Sequence, residues 1–262
     1  MVMIQYLREL HHYRDLLLLW ILRDIKVRYK QSILGVGWAV IQPLSSMVIF
    51  TVIFSSIAHV PSDGLPYPLF SYSALLPWTL LSTSLTVAVP SLVNNMNLIT
   101  KSPFPREILP ISAVLASLAD FSVATIVFAG MMIYYHVTVN LSLVVAPLIL
   151  IVQLALILGV TMWASALNVF YRDIRFVIPL ATQLWMYMTP IIYPLSMVPE
   201  GFRGLYVLNP MAGIVDSYRC TILLAEYPNW LYLGISTGIS LLVFISGYYS
   251  FKKSEPHFAD LI

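Results

Sequence analysis

Asp120 is the one carboxylate that falls inside a long apolar stretch of this 262-residue chain. A helix rises about 1.5 Å per residue, so Asp120 would lie roughly 16 Å beyond Leu109. A charge at that depth of a bilayer costs several kcal/mol and must face protein or water. Two interpretations stay open: a group lining a pore or subunit interface, or a hydrogen-bonded carboxyl that packs helices together. Proton coupling has weak support, since no second acid accompanies Asp120.

The motifs of familiar catalytic and metal sites are missing from the sequence. It contains no Gly-Lys-Ser/Thr, His-Glu-x-x-His, Cys-x-x-Cys or Gly-x-Ser-x-Gly pattern. We therefore predict no catalytic residue, no metal site and no cofactor bound by this chain. His11 and His12 are adjacent but lack further ligands nearby, and the single cysteine, Cys220, is read as a small packed residue. No basic stretch has the pattern expected for nucleic-acid binding.

The composition predicts an all-α membrane protein. Apolar residues make up 59% of the chain and charged residues only 10%, against roughly half and a quarter in soluble domains. A spanning helix needs about 20 mostly apolar residues. Six segments qualify and form a transmembrane domain over 33–251. They lie near 33–58, 67–93, 109–134, 141–168, 176–195 and 229–251.

The basic residues predict the orientation of these segments. With six spans, every Lys and Arg except Arg203 and Arg219 falls on the same side as both termini. Basic loops mark the cytoplasmic side. We therefore expect both termini in the cytoplasm, including the tail 252–262.

Two regions depart from a simple six-helix bundle. Residues 1–32 combine apolar residues at helical spacing with many charges, which is typical of an amphipathic helix on the cytoplasmic membrane surface. A partly ordered basic tail is the alternative. The apolar part of 196–228 is interrupted by polar residues, so we expect two short re-entrant helices forming an outer gate. The candidate gate residues are Asn209, Pro210, Asp216 and Arg219.

Aromatic residues are abundant, with 16 Tyr, 12 Phe and 6 Trp. Most are expected in belts at the two membrane interfaces. Some fall deeper, where aromatic rings would let sugar rings slide past without a tight binding site. The candidate channel aromatics are Trp163, Trp185, Tyr187 and Tyr193.

Three stretches, in this order, are similar to a known family. The first is Arg23-Asp24-Ile25-Lys26-Val27-Arg28-Tyr29-Lys30-Gln31-Ser32-Ile33-Leu34-Gly35 with Gln42-Pro43 beyond it. The second is Asn168-Val169-Phe170-Tyr171-Arg172-Asp173-Ile174, and the third is Thr189-Pro190-Ile191-Ile192-Tyr193-Pro194 followed by Asn209-Pro210-Met211. Together they resemble ABC type-2 polysaccharide-export permeases, most closely the membrane subunit of O-antigen (lipopolysaccharide) exporters. The similarity covers nearly the whole chain.

The resemblance implies a homodimer in the bacterial inner membrane, joined to two ATP-binding-cassette subunits that bind ATP and magnesium. The loop 94–108 would contact the ATPase, with its prolines capping a short coupling helix. The coupling residues are Lys101, Pro103, Pro105, Arg106 and Glu107. A glycan on an undecaprenyl-diphosphate lipid would be threaded outward. The diphosphate would meet a basic cytoplasmic rim formed by Arg23, Lys26, Arg28, Lys30, Arg172 and Arg175. The loop charges Arg172 and Arg175 could instead contact the ATPase, or only anchor the chain on the cytoplasmic side.

Other functions stay open from the sequence alone. An ABC type-2 permease for capsule, teichoic acid, a drug or another lipid would share the architecture. A secondary transporter would predict internal repeats and several intramembrane charges, neither of which is clear here. A membrane-embedded enzyme would need an acid–base cluster that the sequence does not show.

Overall fold

The computed structural model describes residues 12–30, 32–101 and 104–258. Over these ranges the chain forms helices joined by turns and contains no strand. The predicted all-α class is therefore confirmed. His11, Pro103 and the last residues of the predicted tail lie outside the described residues.

Eleven α-helices of the described ranges are numbered here in chain order. They are α1 (Arg14–Tyr29), α2 (Gly37–Phe50), α3 (Tyr67–Ala88), α4 (Ser91–Asn94), α5 (Met96–Lys101), α6 (Ile108–Tyr134), α7 (Ala146–Phe170), α8 (Ile174–Tyr187), α9 (Glu200–Val207), α10 (Pro210–Ile222) and α11 (Trp230–Ser254). A π-helical segment, Thr51–Ile57, continues α2. Short 3-10 turns cover Leu141–Val145, Leu195–Met197 and Glu255–His257.

Four helical segments in the described ranges are long and apolar enough to cross a membrane. They are Gly37–Ile57, Ile108–Tyr134, Leu141–Phe170 and Trp230–His257. The other two predicted spans also coincide with helices, α3 and α8, but neither is among the four. Helix α8 has only 14 residues, about 21 Å at 1.5 Å per residue. The chain is thus a multi-pass helical protein, while the count of six spans stays a prediction.

Helix α3 occupies the centre of the bundle. Of its 22 residues 16 are buried, and it packs against α2, α6, α7, α8 and α10. A helix surrounded by protein does not need a uniformly apolar surface, which explains the many hydroxyl residues along it. Helix α2 is the opposite case, because Pro43 is its one buried residue.

Helices α7 and α11 make the most extensive contact in the bundle. Two glycines bring their backbones together. A methyl group at Gly247 would lie 2.3 Å from the carbonyl oxygen of Gly159, and one at Gly159 would lie 2.6 Å from the Phe244 nitrogen. Small residues are what permit such close helix approach within a membrane.

Helices α9 and α10 form the helical pair predicted within 196–228. Asn209 separates them and caps α10, accepting a hydrogen bond from the Met211 nitrogen, while Pro210 fills the first helical position. Both features are typical starts of a helix. Helix α10 is largely buried against α3, α7 and α11, whereas α9 is mostly exposed.

Candidate functional site

Asp120 lies beneath helix α1, which packs along α6. Its carboxylate forms an ion pair with Arg28 and accepts a hydrogen bond from the Tyr29 hydroxyl. Arg28 also donates to Ser117 at 3.3 Å. The side chains of Arg28 and Asp120 are about one-fifth exposed. This geometry favours the interpretation of Asp120 as a carboxyl that holds two helices together.

Asp24 adds a second polar contact between α1 and α6. The Ser112 hydroxyl donates to its carboxylate at 3.1 Å. Burial raises the pKa of Asp24, while the Ser112 hydrogen bond and the nearby charges of Arg23 and Arg28 oppose that rise. Burial, followed by the hydrogen bond to Asp120, raises the pKa of Tyr29 to about 12, so this hydroxyl stays protonated and donates.

A cavity of about 480 Å³ opens beside this contact. It lies between α1, α2, α3 and α6, and combines the Arg28–Asp120 pair with threonine hydroxyls and apolar groups. Its polar lining includes Gln42, Thr79, Thr83 and Thr86. Tyr29 was noted only as part of a family-like stretch, and Ser112 and Ser117 were not singled out, because a serine within an apolar run carries no signal of its partner.

The predicted basic rim separates into paired and exposed side chains. Arg28 is held by Asp120, and Arg23 donates to Asn95 at 3.1 Å while its guanidinium lies over the Trp20 ring. Four others point outward into the surroundings: Lys26, Lys30, Arg172 and Arg175. Arg23 is exposed as well, and the Arg175 guanidinium lies over the Phe176 ring.

The predicted coupling residues do not form one exposed surface. Lys101, at the end of α5, is exposed, and Arg106 is half-buried, but Pro105 and Glu107 are buried. A short helix is present, but it is α5 at Met96–Lys101 and precedes the prolines. The Glu107 side chain has zero exposure in the single chain, and the coupling role of these residues stays a prediction.

Glu107 belongs to an ion cluster, called here the Lys252 cluster, that joins the start of α6 to the end of α11. Lys252 Nζ donates to Glu107 Oε2 at 2.7 Å and to Glu255 Oε2 at 2.9 Å. The Tyr248 hydroxyl donates to Glu107 at 3.3 Å, and the Arg106 nitrogen donates to Glu255 Oε1 at 3.0 Å. Burial raises the pKa of Glu107, and the Lys252 hydrogen bond counters it.

Three of the four candidate channel aromatics lie together. A groove of about 530 Å³ is lined by Trp185, Tyr187 and Tyr206. The hydroxyl of Tyr193 is hydrogen-bonded to that of Tyr206. Trp163 is not among its lining residues. It packs on α7 beside α11, with its Nε1 donating to Ser246 at 3.2 Å.

Asn209 connects this groove to the start of α10. Its Oδ1 accepts from Trp185 Nε1 at 2.9 Å, and its Nδ2 donates to the Met188 carbonyl and the Thr189 hydroxyl at 3.1 and 3.0 Å. Trp185 also meets Trp78 edge to face. One amide therefore fixes the α9–α10 turn against the end of α8.

Of the two charged candidate gate residues, Arg219 and Asp216, Arg219 is the more deeply buried. Its guanidinium donates to the carbonyls of Pro190 and Ile191 and lies 3.7 Å from the centre of the Phe70 ring. These carbonyls accept from its two terminal nitrogens, while the buried Nε has no hydrogen-bond partner among the described residues. Asp216, one turn earlier, instead lines a polar cavity with Asp63, Ser196 and Arg203.

No group of three or more metal-ligating side chains occurs over the described ranges. The fold and the site thus define a multi-pass helical membrane protein whose polar groups join helices to one another.

The chain belongs to the ABC-2 type transporter family, whose model matches residues 16–223. It is 32% identical to the O-antigen export system permease protein RfbA of Klebsiella pneumoniae, covering 95% of each chain. It is 29% identical to the protein of that name from Myxococcus xanthus, over 99% of this chain and all of the relative. The polysialic acid transport protein KpsM of Escherichia coli is 23% identical, over 87% of this chain and 90% of its own.

Proposed function

We propose that this chain is the permease subunit of an ATP-driven exporter that moves a lipid-linked polysaccharide of the O-antigen type across the bacterial inner membrane. The observation that carries the proposal is its similarity, over almost the entire length, to proteins named as O-antigen export permeases. The fold agrees with such a role, because long apolar helices surround a polar, largely buried central helix.

Two separate ATP-binding-cassette subunits supply the energy in this proposal. The sequence has no P-loop of its own, so ATP and magnesium bind on the partners. Helix α5 and the following loop offer them an exposed Lys101 and a half-exposed Arg106. The buried Glu107 supports this loop from within.

The proposed topology has six crossings with both termini in the cytoplasm. Helices α3 and α8 complete the four longer apolar segments, and the end of α8 is extended by the tightly packed turn around Thr189. The pair α9–α10 then enters from the outer side and turns back at Asn209, which makes it an outer gate. The polar residues of α10 are compatible with membrane depth because protein surrounds this helix.

A homodimer forms the channel in this account. Helix α2 with its π-helical continuation, and helix α8, each leave an apolar face uncovered in the single chain. Val48 and Val52 are exposed on the first, and Leu180 and Leu184 on the second. A second copy would cover part of these faces. Tyr187 is 54% exposed on α8 and would offer its ring to a passing glycan.

The lipid diphosphate of an undecaprenyl carrier would approach the basic rim from the cytoplasmic leaflet. Lys26, Lys30, Arg172 and Arg175 are exposed there, and clustered basic residues attract anionic headgroups. Arg28 takes part indirectly, by holding α1 against α6 through Asp120.

A capsular polysaccharide is the second candidate substrate, favoured by the similarity to a polysialic acid transport protein. The identity is lower and the coverage shorter than for the O-antigen relatives. Gene neighbours encoding O-antigen rather than capsule assembly would support the first candidate.

Copurification tests the subunit composition. We expect the tagged chain, extracted in mild detergent, to bring down one ATP-binding-cassette protein in equal amount, with a mass that fits two copies of each. The variant Lys101→Ala is expected to reduce the yield of that partner. The control is Lys253→Ala, at an exposed position on the last turn of α11. A permease that is active without any ATPase would contradict the proposal.

A further inference from the structure

The Lys252 cluster connects two parts of the molecule that are far apart in sequence. Arg106 and Glu107 immediately precede α6, whereas Lys252 and Glu255 lie at the end of α11. Lys252 bridges both carboxylates, and Arg106 donates from its nitrogen to the Glu255 side chain and from its guanidinium to the Glu255 carbonyl. The loop before α6 is therefore bonded to α11 through charged groups.

Burial makes this connection stiff. Glu107 is fully buried and the Lys252 side chain is 9% exposed. Separating the pair would leave a carboxylate without its cation in a site that water does not reach, which is unfavourable. The aromatic contact of Phe251 with Phe258 packs the same end of α11 against Trp20 and Ile108.

Helix α11 continues from this cluster to the α9–α10 pair. It runs unbroken from Trp230 to Ser254, so Tyr232 and Lys252 are separated by about 30 Å at 1.5 Å per residue. At that far end α10 touches it closely: a methyl group at Gly213 would lie 2.2 Å from Ser236 Oγ and 3.0 Å from the Tyr232 carbonyl oxygen. One unbroken helix thus contacts α10 at one end and, through the Lys252 cluster, Arg106 and Glu107 at the other.

We propose that the Lys252 cluster transmits displacement of the loop 94–108 to α11 and, through α11, to α10. Lys252 and Glu107 are positioning residues in this inference, which rests on the proposed function because the displacement begins at the ATPase contact. ATP hydrolysis on the partner then produces export only while the cluster couples the loop to α11.

The test compares three variants in the full complex with its ATPase: Lys252→Met, Lys252→Arg and the control Lys253→Met. Two quantities are measured, ATP hydrolysis by the purified complex and polysaccharide at the surface of cells that lack the native permease. In Lys252→Met we expect export to fall roughly fivefold or more while ATP hydrolysis stays within about twofold of the unaltered complex. Lys252→Arg keeps the charge and is expected to restore most of the export, and Lys253→Met to match the unaltered chain.

A second variant guards against simple misfolding. Glu107→Gln with Lys252→Met removes both charges of the buried pair, while Glu255, whose side chain is 19% exposed, keeps the hydrogen bond from the Arg106 nitrogen. We expect this complex to assemble, hydrolyse ATP and export poorly. Normal export by an assembled Lys252→Met complex would overturn the inference, and so would failure of the double variant to assemble, since the role would then be structural. Absence of export by the unaltered chain would instead refute the proposed function.

Discussion

At the scale of single residues, the structure explains how charged groups survive among apolar helices. Asp120 accepts hydrogen bonds from Arg28 and Tyr29, and Arg219 donates to two backbone carbonyls. In both cases the partners come from another segment of the chain. A buried charge is tolerated only when such groups replace its water, so each of these residues fixes the position of one element against another.

Asp120→Ala tests the helix-packing interpretation left open by the sequence. Its removal leaves the largely buried Arg28 without its carboxylate, and we expect the free energy of unfolding to fall by about 2 kcal/mol. The thermal midpoint of the detergent-extracted protein measures this. Asp15→Ala, at a side chain that is 86% exposed, is the matched control and is expected to change little. Unaltered stability together with lost export would favour a pore-lining carboxylate instead.

Arg219→Lys tests the role of the planar guanidinium. Lysine keeps the charge but cannot present two fixed donors to the Pro190 and Ile191 carbonyls. We expect a loss of stability of roughly 1–3 kcal/mol, seen as a lower thermal midpoint. Arg172→Lys, at an exposed position, is the control, and an equal response in both variants would show that the carbonyl contacts contribute nothing specific.

At the scale of helices, the positions of the elements followed from the sequence better than their contacts did. Every predicted span coincides with a helix, because long apolar runs and helix-starting residues such as Asn229 and Pro210 are local signals. The side-chain contacts between helices were not predictable in the same way. Lys252 was read only as a basic residue of the cytoplasmic tail, and nothing in its neighbours indicates Glu107, which lies 145 residues away.

The same contrast holds for the candidate site: the kind of side chain was evident from the sequence, but its contacts were not. The aromatic character of α8 was evident from composition, and the structure groups Trp185, Tyr187 and Tyr193 near Asn209. Trp163 has equal aromatic character but lies on α7 beside α11. Depth along a span is readable from sequence, whereas the face that a residue presents depends on which helix packs there.

Two glycine substitutions on α11 are expected to have opposite effects. Gly247→Ala would place a methyl group 2.3 Å from the Gly159 carbonyl oxygen, so α7 and α11 must separate. Gly238→Ala meets nothing within 4 Å, and alanine in an open helical site stabilises by roughly 0.5–1 kcal/mol. The thermal midpoint should therefore fall in the first variant and stay level or rise in the second. A stable Gly247→Ala protein would show that this close contact is not required.

At the scale of the whole molecule, three features support one account. The family match covers residues 16–223, the relatives named as O-antigen export permeases match over nearly their full length, and the apolar helices indicate a multi-pass membrane protein. The Lys252 cluster and Arg219 lie at opposite ends of this bundle. In the proposed exporter, the first faces the ATPase and the second holds the outer segment.

The most direct test of polysaccharide export by this chain is deletion of its gene, followed by reintroduction of the intact gene on a plasmid. Surface polysaccharide is measured by gel analysis of the cell envelope, and lipid-linked polysaccharide inside the cell by extraction. In the deletion strain we expect surface O-antigen to disappear and the lipid-linked form to accumulate inside the cell. The intact gene is expected to restore export. Unchanged surface polysaccharide without internal accumulation would contradict it.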